Sequence, residues 1–550
     1  MVVSCLYKLK STGHIYVCTR KVNSCDIAMY YVLEVFCRST MLTIGRTGTL
    51  NLLKHGIRQC SGITNVPLDK SIPGLWGGYQ NVTKTNNETT KVTTLSNGLR
   101  VATEPVFGGF CTVGVCVDSG SRYEVAHPSG ISHFLEKMAF GATLKYKNRQ
   151  EILHALEKHG GICDCQATRD IFLYATSIDH RGLECAIDII AETVLRPKIE
   201  EEEIELTRNI INYELQDLAL KPEQEPLLLE MIHAVAFKGN TVGLPRHCPQ
   251  ENIGSIKRET ILNYLGTYHT PDRIVLAGVG VDHDELVEYG QKYFVDTPPS
   301  YNINSSSNID RSVSQYTGGI SLEEKDLSNV SLGPTPMPEL AHLVIGLEGV
   351  SHQDPDFIPY CVLNSLMGGG GSFSAGGPGK GMYTRLYTHV LNVHHWMYSC
   401  QSANHAYADG GIFCITSSAP PYYLAELAQV VIREFAILTG DIGDQEFNRA
   451  KKQLSSMLFM NVESKPVIFE DLARQVLAQG KRKTTEEFHQ LINDVTKDDL
   501  RRIARRMLTS KPSVAAVGEM KYLPSYKDIE LALLDKKGSL PTHKAFSLFR

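Results

Sequence analysis

Nowhere in this chain of 550 residues is there an unbroken run of about eighteen apolar residues. Mean hydropathy is −0.15. Together these exclude an ordinary membrane-crossing helix. No CxxC pair occurs among the 14 cysteines, and their scattered spacing suits reduced thiols in a core rather than a disulfide framework. Surplus positive charge is also missing. The formal net charge of −5 speaks against a dedicated nucleic-acid binder. What the chain does have is material for cores: 42% of its residues are apolar and 21% charged, so it is not a disordered polymer. Its length allows roughly three or four ordinary domains.

The most localised absence is that of acid. From Met41 to Leu68 there is no Asp or Glu, while Arg46, Lys54 and Arg58 are spread among Leu, Ile, Thr and Gly. Residues 1–68 hold eight Lys or Arg against Asp26 and Glu34, a charge of +6, which leaves 47 basic and 58 acidic residues, or −11, for the remainder. A basic, acid-free, amphipathic start reads as a mitochondrial targeting segment. It lacks the apolar core and small-residue cleavage site of a secretory signal. Residues 1–40, which contain both acids, read as an extension upstream of a start at Met41. The sequons at Asn81, Asn87 and Asn329 would matter only in a secreted protein.

Pro, Ser and Asn crowd residues 297–338, as in Thr297-Pro-Pro-Ser300 and Asn304-Ser-Ser-Ser-Asn308, which predicts a linker. The flanking halves repeat each other. Ile171-Phe-Leu-Tyr-Ala-Thr-Ser177 matches Ile412-Phe-Cys-Ile-Thr-Ser-Ser418, and Thr270–Gly278 recurs as Ser510–Gly518. Such a period is far too long for a solenoid. It predicts two homologous α+β domains, at 90–296 and 339–550, each a mixed β-sheet with helices packed on it.

One predicted helix, Ile131–Phe140, carries His133, Glu136 and Lys137 in the spacing H-x-x-E-K. In the inverted zinc motif H-x-x-E-H, two His at i and i+4 bind the metal and the Glu serves as general base. Glu214, within Ile211-Asn-Tyr-Glu-Leu-Gln216, lies where a third ligand would come from a later helix. A lysine cannot complete such a set, because its ammonium has three donors and no lone pair. Emptying it of its proton near pH 7.5 would cost about 4 kcal/mol from a reference pKa of ~10.4. The expectation is therefore no catalytic residue and no metal in this chain, with the Lys137 ammonium pairing with Glu214 or Glu136. Glu200–Glu203 reads as the acidic start of a helix. His394-His395 and Cys163-Asp-Cys165 lack further ligands at fitting intervals and read as structural.

The segment Met367–Tyr387 contains eight glycines in 21 residues, between predicted helices at Asp354–Leu366 and Met382–Val390. It is not a phosphate-binding loop, since Ser374 stands where that motif needs its first Gly and Gly381 follows Lys380. Glycines expose backbone N–H and C=O groups and permit close approach. A lip of this kind can hold an extended peptide without selecting its side chains.

Three features together, the degenerate helix, the glycine-rich segment running into Tyr383-Thr-Arg-Leu-Tyr387 and the duplication, make the chain resemble the pitrilysin-like M16 metalloprotease family over roughly residues 90–550. That resemblance implies a heterodimer. A beta subunit bears the intact zinc motif and removes basic presequences from imported precursor proteins, and the non-catalytic alpha subunit recognises them. On that resemblance, Gly368, Gly369, Gly370, Gly371, Ser372, Phe373, Gly376, Gly377, Gly379, Lys380 and Gly381 form the substrate-binding loop. His133, Glu136 and Glu214 are vestiges of a metal site. The implied location is the mitochondrial matrix, with peripheral inner-membrane association as a variant. An acidic body suits basic substrates through long-range steering. The family also implies an alternative, a structural core subunit of the cytochrome bc1 complex, and a third reading, a self-sufficient zinc protease, is opposed by Lys137.

Overall fold

A computed structural model describes residues 2–8, 15–21 and 90–541, apart from 222–223, 304–308, 310–311, 328–330, 333–334, 337 and 372–381. The chain divides into Met1–Thr83 and Lys84–Arg550. In the first body, Val2–Lys8 pairs antiparallel with Ile15–Lys21. The acid-free stretch 41–68 and the sequons lie outside the described residues.

The second body is α+β and contains two six-stranded sheets. The first has strands β1 (Lys91–Thr94), β2 (Arg100–Glu104), β3 (Phe110–Val117), β4 (Ile162–Ala167), β5 (Phe172–Asp179) and β6 (Ile274–Val279), in the order β1-β2-β6-β3-β5-β4. The second has β7 (Gly319–Glu324), β8 (Ala341–Glu348), β9 (Gly369–Gly371), β10 (Ser399–Ala406), β11 (Gly411–Ala419) and β12 (Ser513–Gly518), in the order β9-β10-β11-β8-β12-β7. Both are mixed: β2 runs parallel to β6 and β7 parallel to β12, while the other pairs are antiparallel. The repeat read in the sequence is β5 against β11 and β6 against β12. Strand β7 lies inside the stretch expected as a linker, where alternate residues of Gly319–Glu324 are half-buried at the sheet edge.

Central strands β3, β6, β8 and β12 are apolar almost throughout and buried on both faces. Such runs need a cover on each side. In each half, one cover is local: α2 (Leu183–Leu195) on the first sheet and α6 (Leu424–Ala436) on the second. The other cover is exchanged. Helix α4 (Glu225–Ala236) sets Leu228, Ile232 and Ala236 against Val344, Ile412, Ala515 and Val517 of the second sheet. Helix α8 (Lys465–Gln479) sets Ile468, Phe469, Leu472 and Val476 against Ala102, Leu173, Val275 and Ala277 of the first. Each such large side chain, once buried, contributes about 1.5–3 kcal/mol. A Cβ on Gly114 of β3 would sit 2.0 Å from the Tyr174 carbonyl oxygen of β5 and 2.6 Å from the Phe469 ring, so glycine is what lets both the neighbouring strand and α8 lie this close.

The helices that carry the sequence motifs are α1 (Ile131–Met138), α3 (Glu201–Leu220) and α5 (Phe357–Met367), and α7 (Asp444–Asn461) packs on α5. Two expected helices differ. The one expected from Asp354 begins at Phe357, because Ser351–Asp356 is tied into turns. The one expected at Met382–Val390 is a short π-helix over Leu386–Leu391, with Met382–Thr384 outside it.

Candidate functional site

Helix α1 starts at Gly130, whose φ of 113° belongs to glycine and whose Cβ, if present, would strike Cys248 Sγ at 2.4 Å. No side chain caps this start from within the helix. Instead Glu124, buried, accepts from the backbone N–H groups of Gly130 and Ser132, each at 2.6 Å. Burial pushes its carboxyl up to about 7 against the pull of those donors. The start of α1 is thereby fixed, and His133 is held at the helix face turned toward α3.

Helix α3 begins in Glu201-Glu-Glu203, as the acidic run predicted. Glu203 accepts from the Ala142 N–H at 2.7 Å, while Glu201 and Glu202 are exposed. One face of α3 brings Glu214 to α1. Lys137 Nζ lies 2.9 Å from Glu214 Oε2, 3.0 Å from its Oε1 and 3.3 Å from Glu136 Oε1. Burial pulls the ammonium down, but the two carboxylates outweigh it and its pKa is raised. The expected pairing with Glu214 or Glu136 is a pairing with both.

His133 Nε2 is 3.2 Å from Glu214 Oε2, and its Nδ1 accepts from the Cys248 backbone N–H at 3.2 Å. An imidazole that accepts at Nδ1 carries its proton on Nε2. That hydrogen bond, with Lys137, holds the Glu214 carboxyl down at about 2. Glu136 is occupied as well: its Oε2 accepts from the Ala167 N–H of edge strand β4 at 2.9 Å, and Arg246 stands 3.8 Å away.

This donor set does not fit the zinc of the motif. The His133 nitrogen that would face a metal carries a proton, the second imidazole is an ammonium, and both carboxylates are already neutralised by cations. No group of three His, Cys, Asp or Glu placed to hold a metal occurs among the described residues. The arrangement holds charge in balance, with one ammonium between two carboxylates.

Around this cluster lie residues that no motif announced. His247 stacks edge-on to His133 at 5.5 Å and lies 3.7 Å from Glu230, which also pairs with Arg169 at 3.0 Å. Arg246, His247 and Cys248 come from a loop more than a hundred positions beyond α1. Only the tertiary fold brings them there.

In the glycine-rich segment, Gly368, Gly369, Gly370 and Gly371 are described; Ser372, Phe373, Gly376, Gly377, Gly379, Lys380 and Gly381 lie outside the described residues. Gly369–Gly371 is β9, an edge strand antiparallel to β10, with Gly370 opposite Cys400. The cluster on α1 and the start of the glycine-rich segment thus belong to different sheets. His394 packs against Trp396 at 5.5 Å, and the nine cysteines from Cys111 to Cys414, Cys163 and Cys165 included, are free thiols.

The family described as Insulinase (Peptidase family M16) matches residues 100–250, and the Peptidase M16 inactive domain matches residues 255–454. The mitochondrial-processing peptidase subunit alpha of Homo sapiens is 52% identical over 487 residues, 88% of this chain and 92% of the relative. The chain belongs to the peptidase M16 family. The subunit alpha of Caenorhabditis elegans is 41% identical over 80% of this chain and 87% of the relative. The M16 fold is also seen in a chain of complex III2 from Candida albicans, with a TM-score of 0.66 over 80% of this chain and 99% of that one, at 18% identity. Within M16 this chain stands with the alpha subunits of the processing peptidase, and the curated relatives named so are matched along nearly their whole length.

Proposed function

We propose that this chain is the substrate-recognition, non-catalytic alpha subunit of the mitochondrial processing peptidase, and that it works in the matrix as a heterodimer with a catalytic beta subunit. The observation that carries the non-catalytic part is Lys137, whose ammonium lies within 3.3 Å of both carboxylates that a metal and its water would need. Zinc and the attacking water belong to the partner. This chain supplies an acidic body that draws in basic presequences and the glycine-rich segment that holds them by backbone contacts. The basic, acid-free stretch 41–68 is its own targeting segment.

Mixing the purified chain with a catalytic beta subunit and a basic model presequence tests this reading. The chain alone should cleave nothing and contain no stoichiometric zinc by atomic absorption. The mixture should cleave. Deleting Gly368–Gly381 should raise the apparent KM or abolish cleavage, with the zinc content of the mixture unchanged. Unaltered kinetics in a folded deletion variant would refute the recognition role.

The likeness to a complex III2 chain favours a second reading, a structural core subunit of the bc1 complex. Identity of 18% there, against 52% to the alpha subunits, makes it the weaker one. Blue-native separation decides between them: co-migration with bc1 subunits and never with a soluble peptidase partner would establish the second.

A further inference from the structure

Helix α3 has a second face that its motif residue does not use. Toward the core it buries Ile204, Thr207 and Ile211. On the opposite side Leu206, Ile210, Tyr213 and Leu220 are 64, 49, 71 and 72% exposed. They recur at i, i+4, i+7 and i+14, which sets them in one line along the helix. At about 1.5 Å per residue the line is about 21 Å long, or roughly four turns. A single exposed leucine needs no explanation, but four large apolar side chains aligned on one helix mark an interaction surface.

The line runs through acid. Residues 201–220 hold six acids, Glu201, Glu202, Glu203, Glu205, Glu214 and Asp217, against one base, Arg208. Three cations beside the helix are already paired: Arg208 with Glu205, Lys221 with Asp217 at 3.0 Å, and Lys137 with Glu214 at 2.9 Å. Glu201 and Glu202, both exposed, have no ion-pair partner among the described residues. The surface therefore offers an apolar ridge with surplus negative charge.

The chemistry of this ridge selects its occupant. An acidic partner would be repelled by it. An extended strand would find no backbone partners, because a helix pairs its own N–H and C=O groups internally. A second helix with an apolar stripe can lie along the first, and Lys or Arg on its flanks would meet the carboxylates. We propose that the exposed face of α3 is a docking surface for a basic amphipathic helix of roughly four turns within a presequence. This inference rests on the reading that the chain binds basic presequences. It adds a selection that backbone contacts alone do not make, since the peptide must carry its apolar residues at a helical period.

The test uses the assembled heterodimer and two fluorescent peptides of one composition. In the first, Leu recurs at i, i+3, i+4 and i+7 among Arg and Ser; in the second, the order is scrambled to break that period. Fluorescence anisotropy reads the Kd, and gel filtration reads assembly. The parent should bind the patterned peptide about tenfold more tightly than the scrambled one, the effect of one or two well-seated side chains. Leu206→Ser combined with Tyr213→Ser changes only exposed positions and should bring the two peptides to within about twofold of each other. Glu201→Gln combined with Glu202→Gln should weaken both peptides about threefold at low salt and leave them unchanged at high salt. Equal binding of the two peptides by the parent overturns the proposal, as does a preference that survives in the folded Leu206→Ser, Tyr213→Ser heterodimer. Loss of assembly in that variant overturns it as well, because the face then belongs to the contact between subunits. If the parent binds neither peptide, the recognition role itself has failed; if it binds both equally, only the α3 surface has failed.

Discussion

Lys137 sets an ammonium between two carboxylates, and the consequences can be followed atom by atom. Its ammonium satisfies Glu214 and Glu136 together, and each has a further donor, His133 and Ala167. Lys137→Met removes the shared cation and leaves two carboxylates facing each other. Because the pair is about a quarter exposed, the expected loss is modest, about 1–2 kcal/mol, read as a lower denaturation midpoint. A variant as stable as the parent would show that the ammonium is dispensable. The pH dependence carries a sign. The Glu214 carboxyl moves from an ordinary 4.5 to about 2. A depressed carboxyl gives stability that is present above its unfolded value and is lost as pH falls through its folded one. Acid unfolding should therefore steepen between about pH 4.5 and 2, and Glu214→Gln should flatten that part of the curve. An unchanged acid limb would contradict the assignment.

At the scale of elements, helices α4 and α8 matter most. Each has the amphipathic pattern of a helix that covers a sheet, and each covers the sheet of the other half. Phe469, buried under Gly114, is the largest apolar group α8 inserts. Phe469→Ala should cost about 3–5 kcal/mol, because the sheet below it cannot collapse into the void. Chemical denaturation measures this, and a loss under about 1 kcal/mol would mean that α8 is only loosely docked. The duplication was legible in the sequence as two matching strand runs. The crossing was not, because a hydrophobic period tells which face of a helix is buried and says nothing of the surface it meets. The same limit explains β7, a short edge strand within a Pro- and Ser-rich neighbourhood that reads as linker.

For the whole molecule the exchange means that neither half is complete alone. Arg122 of the first half pairs with Asp170 at 2.9 Å and with Asp409 of the second at 2.6 Å, all largely buried. A fragment of residues 90–296 would expose Ala102, Leu173, Val275 and Ala277 where α8 should lie, a contiguous apolar patch. It should aggregate or bind a hydrophobic dye, and co-expression with residues 297–550 should restore solubility. A fragment that stays monomeric and dye-free would show that the two halves fold independently.

The sequence by itself determined the α+β duplication, the acidic body preceded by a basic segment that is acid-free from 41 to 68, and the inability of Lys137 to stand in for a metal-binding imidazole, because these depend on residue identity and on spacing along the chain. The tertiary structure decided the rest. It placed Glu214 against Lys137, turned Cys248 toward His133 and exchanged two helices between sheets. Each of these is a contact between groups distant along the chain, and such partners are selected by packing in three dimensions, which no local pattern encodes.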